Sequence, residues 1–349
     1  MTAPATPTTP FVTVLVPCRN EGRFIAPCLA SILENGYPTH RLEVLVVDGA
    51  STDDTADQVR RFAASHPSVR LIDNPRRVTP VALNLGITSA KGAYILWMSA
   101  HNTYLAGYIR ECVAAAERFG VANVGGGIET VARDTNLMAP FVVAALTHRF
   151  GVGSSAFRLA SSEPQWVDTV FGGCYRRDVF DRVGLFNEAL TRGQDMEFNL
   201  RLKRAGLRTL LLPTVRSIYH ARSRYLEFLR HNWTNGVWAI LPFRYVEHPP
   251  VGLRHLIPMT FAGALVTALV LATTVPHGIW ALAALGSAYI LAATAASVDV
   301  ALRFRNPLYL LVMPWMFLSL HLSYGGGSLW GGAQLGGAWL RKRVTGWDR

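Results

Sequence analysis

Polar and charged side chains follow the ends of several short apolar runs in the first third of the chain. Carboxylate, hydroxyl and imidazole groups exchange hydrogen bonds with ligands, and imidazole also binds metal ions. If these runs are parallel strands, their carboxyl ends lie at one edge of a sheet, which is where open α/β sheets bind ligands. The sequence therefore predicts a ligand site at that edge, formed by 19–21, Asp48, 73–75 and 99–101.

The runs that must position these groups alternate with helical segments. Each run is apolar and short, as expected for a strand that is buried on both faces. The alternation of strands and helices at this spacing predicts an α/β fold of parallel βαβ units, with helices on both faces of the sheet. The predicted strands are 11–17, 42–47, 69–73 and 93–98; the predicted helices are 24–34, 79–89, 196–205 and one that is capped by 51–54 and ends near residue 64.

A second chemical signal is the pair Gln194-Asp195, which opens the predicted helix at 196–205. A carboxylate near a helix N-terminus is stabilised by the helix dipole, so Asp195 has a favourable position there. By itself this position fits a simple N-cap aspartate, which is one interpretation of Asp195. Glu197 lies one turn before Arg201, so it either pairs with that arginine or contacts a substrate.

The composition divides the chain into a polar front and an apolar back. Of the 349 residues, 50% are hydrophobic and only 16% are charged, against about 25% charged residues in an average soluble protein. No Asp, Glu, Lys or Arg occurs at 256–298 or at 306–340. This composition excludes a disordered chain and a disulfide-framework protein, and it is a poor fit to a wholly soluble domain.

Two apolar stretches, 256–275 and 279–298, are each long enough to cross a bilayer as a helix, since a helix needs about 20 residues for this. The alternative is a pair of buried core helices. A third apolar run, about 308–324, precedes a glycine-rich tail. Either the third run is re-entrant, or 325–340 helps to return the chain to the side from which it entered. We predict an α-helical membrane domain over 256–349.

The distribution of arginine predicts how this domain is oriented. Positive charge favours the cytoplasmic side, which places the front domain and Arg254 in the cytoplasm of a multi-pass protein of the cytoplasmic (inner) membrane. Residues 1–10 lack the features of a signal peptide and are predicted to be a flexible tail. Aromatic and cationic residues are mixed at 231–255, which predicts an interfacial helical segment; an ordinary domain-covering helix is the alternative.

The net charge of +11 indicates anionic partners. Lipid headgroups and a phosphorylated ligand are favoured over nucleic acid, because no basic run with interleaved aromatics is present. The four cysteines are scattered and form no CxxC pair, so we expect buried, reduced thiols in a cytosol-facing domain.

Four motifs in a fixed order make this sequence similar to a known family. They are PCRNE at 17–21, VDGASTDDT at 47–55, NLG at 84–86 followed by AKG at 90–92, and GQDMEF at 193–198. Together they resemble glycosyltransferase family 2, with its GT-A nucleotide-sugar fold. Within it, the chain resembles bacterial exopolysaccharide glycosyltransferases of the succinoglycan-biosynthesis type, which also carry C-terminal membrane spans. The resemblance covers about residues 11–220, and the tail more loosely.

The resemblance implies a GT-A domain at 11–230 and a set of site residues. Asp195 corresponds to the base that takes the proton of the acceptor hydroxyl in inverting transfer. Asp48 matches the residue that binds the base or ribose of the donor, and helix capping is its alternative role. Asn84 is either a ligand-binding residue or a structural turn residue. The implied nucleotide-sugar-binding residues are Pro17, Glu21, Asp48, Asn84, Ser99 and His101, and the implied acceptor residues are Glu197 and Trp233.

One departure from the family concerns the divalent cation, Mg²⁺ or Mn²⁺. The family carries a carboxylate where this chain has Ser99, and serine is a poor ligand for hard cations. His101 would then hold the metal weakly or donate to phosphate directly, and Arg76, Arg77 and His220 are alternative cationic groups. Altered metal binding, metal independence and lost activity are all open.

The sequence therefore predicts a membrane-bound inverting glycosyltransferase of the hexosyltransferase type. It would move a sugar from a nucleotide sugar, most simply UDP-linked, to a lipid-linked acceptor in polysaccharide or glycolipid biosynthesis. The alternatives are a polyprenyl-phosphate sugar synthase and a non-catalytic, glycosyltransferase-like assembly subunit. The expected partners are the nucleotide sugar, the lipid-linked acceptor and membrane lipids, without nucleic acid.

Overall fold

The computed structural model describes residues 9–153, 155–159, 162–248, 252 and 255–345. The chain divides into two compact units, the first formed by Met1–Glu129 and Ala156–His220, the second by Thr130–Ser155 and Ala221–Arg349. This division differs from a single boundary at residue 230, because 130–155 belongs with the C-terminal helices. Most of the predicted tail, residues 1–8, and Arg254 lie outside the described residues.

The first half of the first unit is a parallel βαβ arrangement. Strand β1 pairs in parallel with both β2 and β4, and β2 pairs in parallel with β3. Each predicted strand and helix in this region forms within two residues of its predicted ends. Helix α2 begins at Thr55, directly after the predicted capping segment 51–54. The elements are β1 (Val12–Cys18), α1 (Ile25–Leu33), β2 (Leu42–Asp48), α2 (Thr55–Ser65), β3 (Val69–Asp73), α3 (Thr79–Ser89) and β4 (Tyr94–Trp97).

Antiparallel strands extend this sheet beyond β4. Strand β8 pairs with both β4 and β6, and the long strand β9 pairs with β5 and β7. The order in the described sheet is β3-β2-β1-β4-β8-β6-β9-β5. The elements are β5 (Asn102–Tyr104), α4 (Tyr108–Phe119), β6 (Asn123–Ala132), β7 (Gln165–Val167), β8 (Gly173–Arg176), α7 (Asp178–Val183), α8 (Gln194–Arg204) and β9 (Thr209–Ala221).

Hydrophobic clusters cover both faces of the central strands. Val14 and Val46 pack with residues of α1 and α4 in one cluster, whereas Leu15 and Leu45 pack with residues of α3 and α8 in another. Successive side chains of a strand point to opposite faces, so a strand that is covered on both sides is apolar at every position. This explains why β1 and β2 read as continuous hydrophobic runs.

The four cysteines are free thiols, and all of them are buried. They belong to the hydrophobic cluster that contains α1 and α4. Burial is the largest cause that raises the pKa of each thiol above its ordinary value. The thiols are therefore neutral packing groups at physiological pH, as expected for a reduced domain.

The second unit is helical. Three of its helices are long and apolar enough to cross a membrane. The short helix α5 packs against α9 and α12 through Phe141 and Val142, which is why 130–155 groups with this unit. The elements are α5 (Ala139–Leu146), α6 (Arg149–Val152), α9 (Tyr225–Ile240), α10 (Ile257–Thr274), α11 (Ile279–Phe304) and α12 (Leu308–Thr345).

Helix α12 corrects the expectation of a short third run followed by a glycine-rich tail. It continues from Leu308 to Thr345 with Pro314 inside it, so the glycine-rich segment is helical and does not turn back. Glycine persists here because helices approach closely: a Cβ added at Gly327 would overlap the backbone of Trp233, and one at Gly236 would overlap that of Tyr324. Small residues at such interfaces are typical of helix packing in membranes.

The segment predicted to be interfacial, 231–255, contains most of α9 and a short 3₁₀ turn at Leu241–Arg244. Helix α9 begins six residues earlier than expected, at Tyr225, and packs along α12. Residues 231–240 therefore have a packing partner within the second unit, and their interfacial location stays a prediction. Trp233, Phe243 and Tyr245 nevertheless keep partly exposed side chains.

Candidate functional site

The carboxyl ends of β1 and β4 bring three predicted site residues together. A Glu21 Oε1 atom lies 3.2 Å from His101 Nδ1, and the Ser99 hydroxyl lies 3.3 Å from the same imidazole nitrogen. The ring of Tyr219 on β9 is 5.6 Å from the His101 ring, centroid to centroid. Glu21, Ser99, His101 and Tyr219 thus form one strand-end cluster at the sheet edge.

Asp48 is buried at the end of β2 and is oriented by its own turn. One carboxylate oxygen accepts the Ser51 N–H at 2.9 Å, and the other accepts the Ser51 hydroxyl at 2.5 Å. Asp53, rather than Asp48, accepts the N–H of Thr55 at the start of α2, at 3.1 Å. The N-cap of α2 is Asp54, so Asp48 does not cap this helix. The Cys18 thiol also donates to Asp48, at 3.6 Å, and a donor-binding role for Asp48 stays a prediction.

The loops after β1 and β2 hold each other in place, a feature that sequence reasoning missed. Asn20 adopts a positive φ of 54° and its side-chain oxygen accepts the Thr52 N–H at 2.8 Å. The Gly22 N–H donates to Asp53 at 3.0 Å, and the Glu21 N–H donates to the Thr55 hydroxyl at 2.8 Å. These bonds fix the backbone that carries Glu21 relative to that of Asp48.

Pro17 lies beyond the point at which β1 stops pairing with β4. The Leu15 carbonyl accepts the Met98 N–H at 2.9 Å, so the odd-numbered residues of β1 face β4. Pairing with β4 extends only as far as Leu15 and Trp97. A proline at position 17 consequently sacrifices no sheet hydrogen bond, and it ends the strand rigidly beside the site.

The Asn84 side chain forms hydrogen bonds within the fold. Its side-chain amide donates to the Phe186 carbonyl at 2.9 Å and its oxygen accepts the Phe186 N–H at 2.9 Å. A further bond of 3.1 Å reaches Glu188. The amide thus ties α3 to the loop before α8, as the structural alternative expects, and a donor-binding role for Asn84 stays a prediction.

Asp195 lies in the first turn of α8 and is not its N-cap. The helix begins at Gln194, and the N-cap is Gly193, with a φ of 73°. Burial raises the pKa of the half-buried Asp195 carboxyl, although hydrogen bonds from the backbone N–H groups of Met196 and Asp195 oppose this shift. A carboxylate that is partly desolvated but held by helix N–H groups is suited to accept a proton.

A buried polar network lies beneath Asp195, and the sequence motifs did not reveal it. Asn123 donates to Asn199 at 3.2 Å, and Asn199 donates to Thr169 at 2.9 Å. Burial and then the nearby Asp195 charge raise the pKa of Tyr175, so its phenol stays neutral. The only signal in the sequence was that Asn199 falls one helical turn after Asp195.

The two predicted acceptor residues have packing partners. Glu197 accepts hydrogen bonds from Arg201 at 2.7 and 3.0 Å, the i,i+4 pair that was one of its two alternatives. Arg201 also donates to the carbonyl of Leu185 at 2.8 Å. Trp233 belongs to the second unit, where it packs against the glycine-rich face of α12.

The residues at the strand ends do not fit a divalent cation held by the protein alone. Within the described ranges, no group of three or more His, Cys, Asp or Glu side chains is placed to hold a metal ion. The strand-end cluster offers one carboxylate and one imidazole, and these are hydrogen-bonded to each other. Arg76 pairs with Glu188, and the His220 ring contacts that of Phe24 at a tilt of 39°, with 5.2 Å between the ring centroids.

The parallel half-sheet and its antiparallel extension define the GT-A fold class. A solved structure with this fold is PcManGT, a mannosyltransferase from Pyrobaculum calidifontis in complex with GDP-Man and Mn²⁺. It is 24% identical, its alignment covers 93% of this chain and 88% of that one, and the TM-score is 0.57. Residues 13–184 match the sequence model of the family described as "Glycosyl transferase family 2". The chain therefore carries a domain of glycosyltransferase family 2.

Two relatives extend the similarity into the helical region. The succinoglycan biosynthesis protein ExoA of Rhizobium meliloti is 28% identical over 279 residues, covering 78% of this chain and 83% of ExoA. A dolichyl N-acetyl-α-D-glucosaminyl phosphate 3-β-D-2,3-diacetamido-2,3-dideoxy-β-D-glucuronosyltransferase of Methanococcus voltae is 25% identical, covering 90% of this chain and 95% of the relative. The predicted resemblance to glycosyltransferase family 2 and to succinoglycan-biosynthesis glycosyltransferases is thereby confirmed.

Proposed function

We propose that this protein is an inverting glycosyltransferase that moves a hexose-type sugar from a UDP-linked donor to a lipid-linked acceptor at the cytoplasmic face of the inner membrane. The observation that carries the proposal is Asp195, a carboxylate with a raised pKa in the first turn of α8. The donor side of the proposal depends on the strand-end residues, and the acceptor side depends on the apolar helices.

The donor would lie along the carboxyl ends of β1, β2 and β4. Asp48, already oriented by Ser51, has lone pairs that can accept a base N–H or ribose hydroxyls. Pro17 and Glu21 would border the nucleoside, since the paired loops after β1 and β2 hold them at that edge. Ser99 and His101 would face the diphosphate, to which the serine hydroxyl and an imidazole N–H can donate.

Transfer needs one proton acceptor and one leaving group. Asp195 takes the proton from the acceptor hydroxyl as its oxygen forms a bond to the anomeric carbon of the sugar. The bond from that carbon to the diphosphate oxygen breaks, and the nucleoside diphosphate leaves with the electron pair. Attack from the face opposite the leaving group inverts the anomeric configuration. The buried network of Asn123, Asn199 and Tyr175 would keep Asp195 in position during this step.

The acceptor class is inferred from the apolar helices. α10, α11 and α12 have the length and hydropathy of membrane spans. A polyprenyl chain gains about 0.8 kcal/mol per CH₂ buried in lipid, so an enzyme that uses such an acceptor must work at the membrane. The name of the Methanococcus voltae relative describes a dolichyl phosphate-linked acceptor, which supports the same class here.

The way in which the negative charge of the diphosphate is offset differs from what the family resemblance implies. PcManGT was solved with Mn²⁺, whereas here Ser99 stands at the position that would supply a carboxylate. Glu21 and His101 by themselves would hold a divalent ion weakly, with donor oxygens and water completing its ligands.

A lipid-extraction assay tests the proposal. Membranes that contain the protein are incubated with a panel of radiolabelled nucleotide sugars, and label is followed into the organic phase. We expect label from a UDP-sugar in a lipid-linked saccharide, lost in Asp195→Asn and retained in the matched control Asp181→Asn, which changes an exposed acid on α7. Label on the lipid phosphate itself would instead identify a polyprenyl-phosphate sugar synthase. Absence of transfer from every donor would favour the non-catalytic alternative.

A further inference from the structure

Arg158 is a partly buried cation that no motif of the sequence singles out. It ends a short 3₁₀ turn at Ala156–Arg158, in the segment of the first unit between β6 and β7. Its guanidinium carbon lies 5.6 Å from the ring centroid of Phe157 and 5.4 Å from that of Tyr219. Two aromatic rings thus hold the guanidinium group in place.

The guanidinium has an unused donor. Among the residues that the structure describes, the buried Nη1 atom of Arg158 finds no hydrogen-bond acceptor. Burial lowers the pKa of Arg158, and the neighbouring Tyr219 opposes this shift. An arginine stays charged even so, and burying a charged donor without an acceptor is costly. A buried cation with a free N–H is the expected partner of an anionic ligand.

The position of Arg158 indicates which anion this is. Tyr219 contacts Arg158 on one side, and on the other its ring lies 5.6 Å from that of His101. Arg158 is therefore one aromatic ring away from the strand-end cluster of Glu21, Ser99, His101 and Tyr219. Of the two other arginines considered for this role, Arg76 is paired with Glu188 and Arg77 is exposed at a backbone φ of 62°.

We infer that Arg158 binds the diphosphate of the nucleotide-sugar donor through its free Nη1 donor. This inference rests on the proposed function, in which the diphosphate gains negative charge as it leaves. A guanidinium fork suits phosphate oxygens, and the two rings fix its plane before the ligand arrives. Arg158 thus supplies positive charge beside a strand-end cluster that offers a metal ion only one carboxylate and one imidazole.

Binding measurements on the full chain in detergent micelles, with a chelator present, test this role without requiring turnover. Uridine, UDP and UDP-glucuronate are titrated calorimetrically into the wild type, Arg158→Gln and Arg158→Lys, and GDP and dTDP are titrated into the wild type. The control is Arg182→Gln, which changes an exposed arginine on α7. We expect Arg158→Gln to weaken UDP binding about 10- to 100-fold, the usual effect of losing a charge-assisted hydrogen bond. Uridine binding should change less than about twofold, because uridine lacks the diphosphate.

The outcomes are distinguishable. Equal losses for uridine and UDP would show that Arg158 only supports the fold, and unchanged UDP binding would show that it does not contact the diphosphate. A loss confined to UDP-glucuronate would place Arg158 on a sugar carboxylate, which also overturns the inference. If Arg158→Gln does not fold, the ratio of UDP to uridine affinity in Arg158→Lys gives the same test. Failure of the wild type to bind UDP, GDP or dTDP would overturn the proposed function itself.

Discussion

Replacing Asp195 by Asn removes the proposed proton acceptor with little change of shape. The amide keeps one oxygen, which can still accept a hydrogen bond from the first turn of α8, but it cannot take the acceptor's proton. Loss of a general base lowers a rate by about 10²–10⁴. We expect kcat to fall by this amount, with UDP affinity unchanged within about twofold.

The effect of this substitution on stability follows from the raised pKa of Asp195. A folded-state pKa above the unfolded value means that the native state binds the proton more tightly, so stability falls as pH rises from the unfolded pKa through the folded one. At neutral pH the ionised Asp195 therefore costs stability. Asp195→Asn should leave Tm unchanged or raise it, which separates lost chemistry from lost folding.

Single-turnover transfer at saturating donor is the appropriate assay, measured across pH. The wild-type rate should rise with pH as Asp195 ionises, with a midpoint above the ordinary aspartate range, and Asp195→Asn should lack this limb. The control Asp181→Asn should follow the wild-type profile. A variant Asp195→Asn that keeps more than half of the wild-type kcat would refute the assignment of the base.

Three further predictions concern the metal, the α3 anchor and the helix packing. Ser99→Asp adds a carboxylate beside Glu21 and His101, so the Mn²⁺ concentration needed for half-maximal transfer should fall about tenfold or more; an unchanged titration would contradict this. Asn84→Ala leaves the buried Phe186 backbone groups without partners and should destabilise the protein by about 2–4 kcal/mol in denaturant, whereas a ligand role would instead weaken UDP binding at full stability. Gly327→Ala should lower Tm because its Cβ overlaps Trp233. The matched Gly332→Ala, whose Cβ would lie 3.8 Å from Met259, should not, and equal Tm values for the two variants would argue against the close α9–α12 packing.

The parallel half of the sheet could be predicted because its signals are local. β1 and β2 are buried on both faces, so each is mostly apolar; the buried polar residues Thr13 and Glu43 are hydrogen-bonded to each other, and both strands end where polar residues begin. The right-handed βαβ connection then leaves few possible strand orders. It brings the carboxyl ends of β1, β2 and β4 to one edge of the sheet. Glu21, Asp48, Ser99 and His101 were placed at that edge from their positions after the strands.

The antiparallel half could not be predicted in the same way. Strands such as β5 and β8 are short, and their partners lie far away in sequence. Their pairing depends on loop closure and on side-chain fit that no local pattern reports. The grouping of 130–155 with the C-terminal helices could not be predicted either, because α9 and α12, against which α5 packs, lie far from it in the sequence.

The sequence by itself determined the strand-end polar residues, the apolar helices and the helix-terminal Asp195, because periodicity, hydropathy and capping are properties of neighbouring residues. Only the tertiary structure decided what each polar group contacts. Asn84 faces the Phe186 backbone, Glu197 faces Arg201, and Arg158 lies between two rings with one donor free. Hydrogen bonds and ion pairs act over a few ångströms in space, and the residues that they join can lie anywhere along the chain.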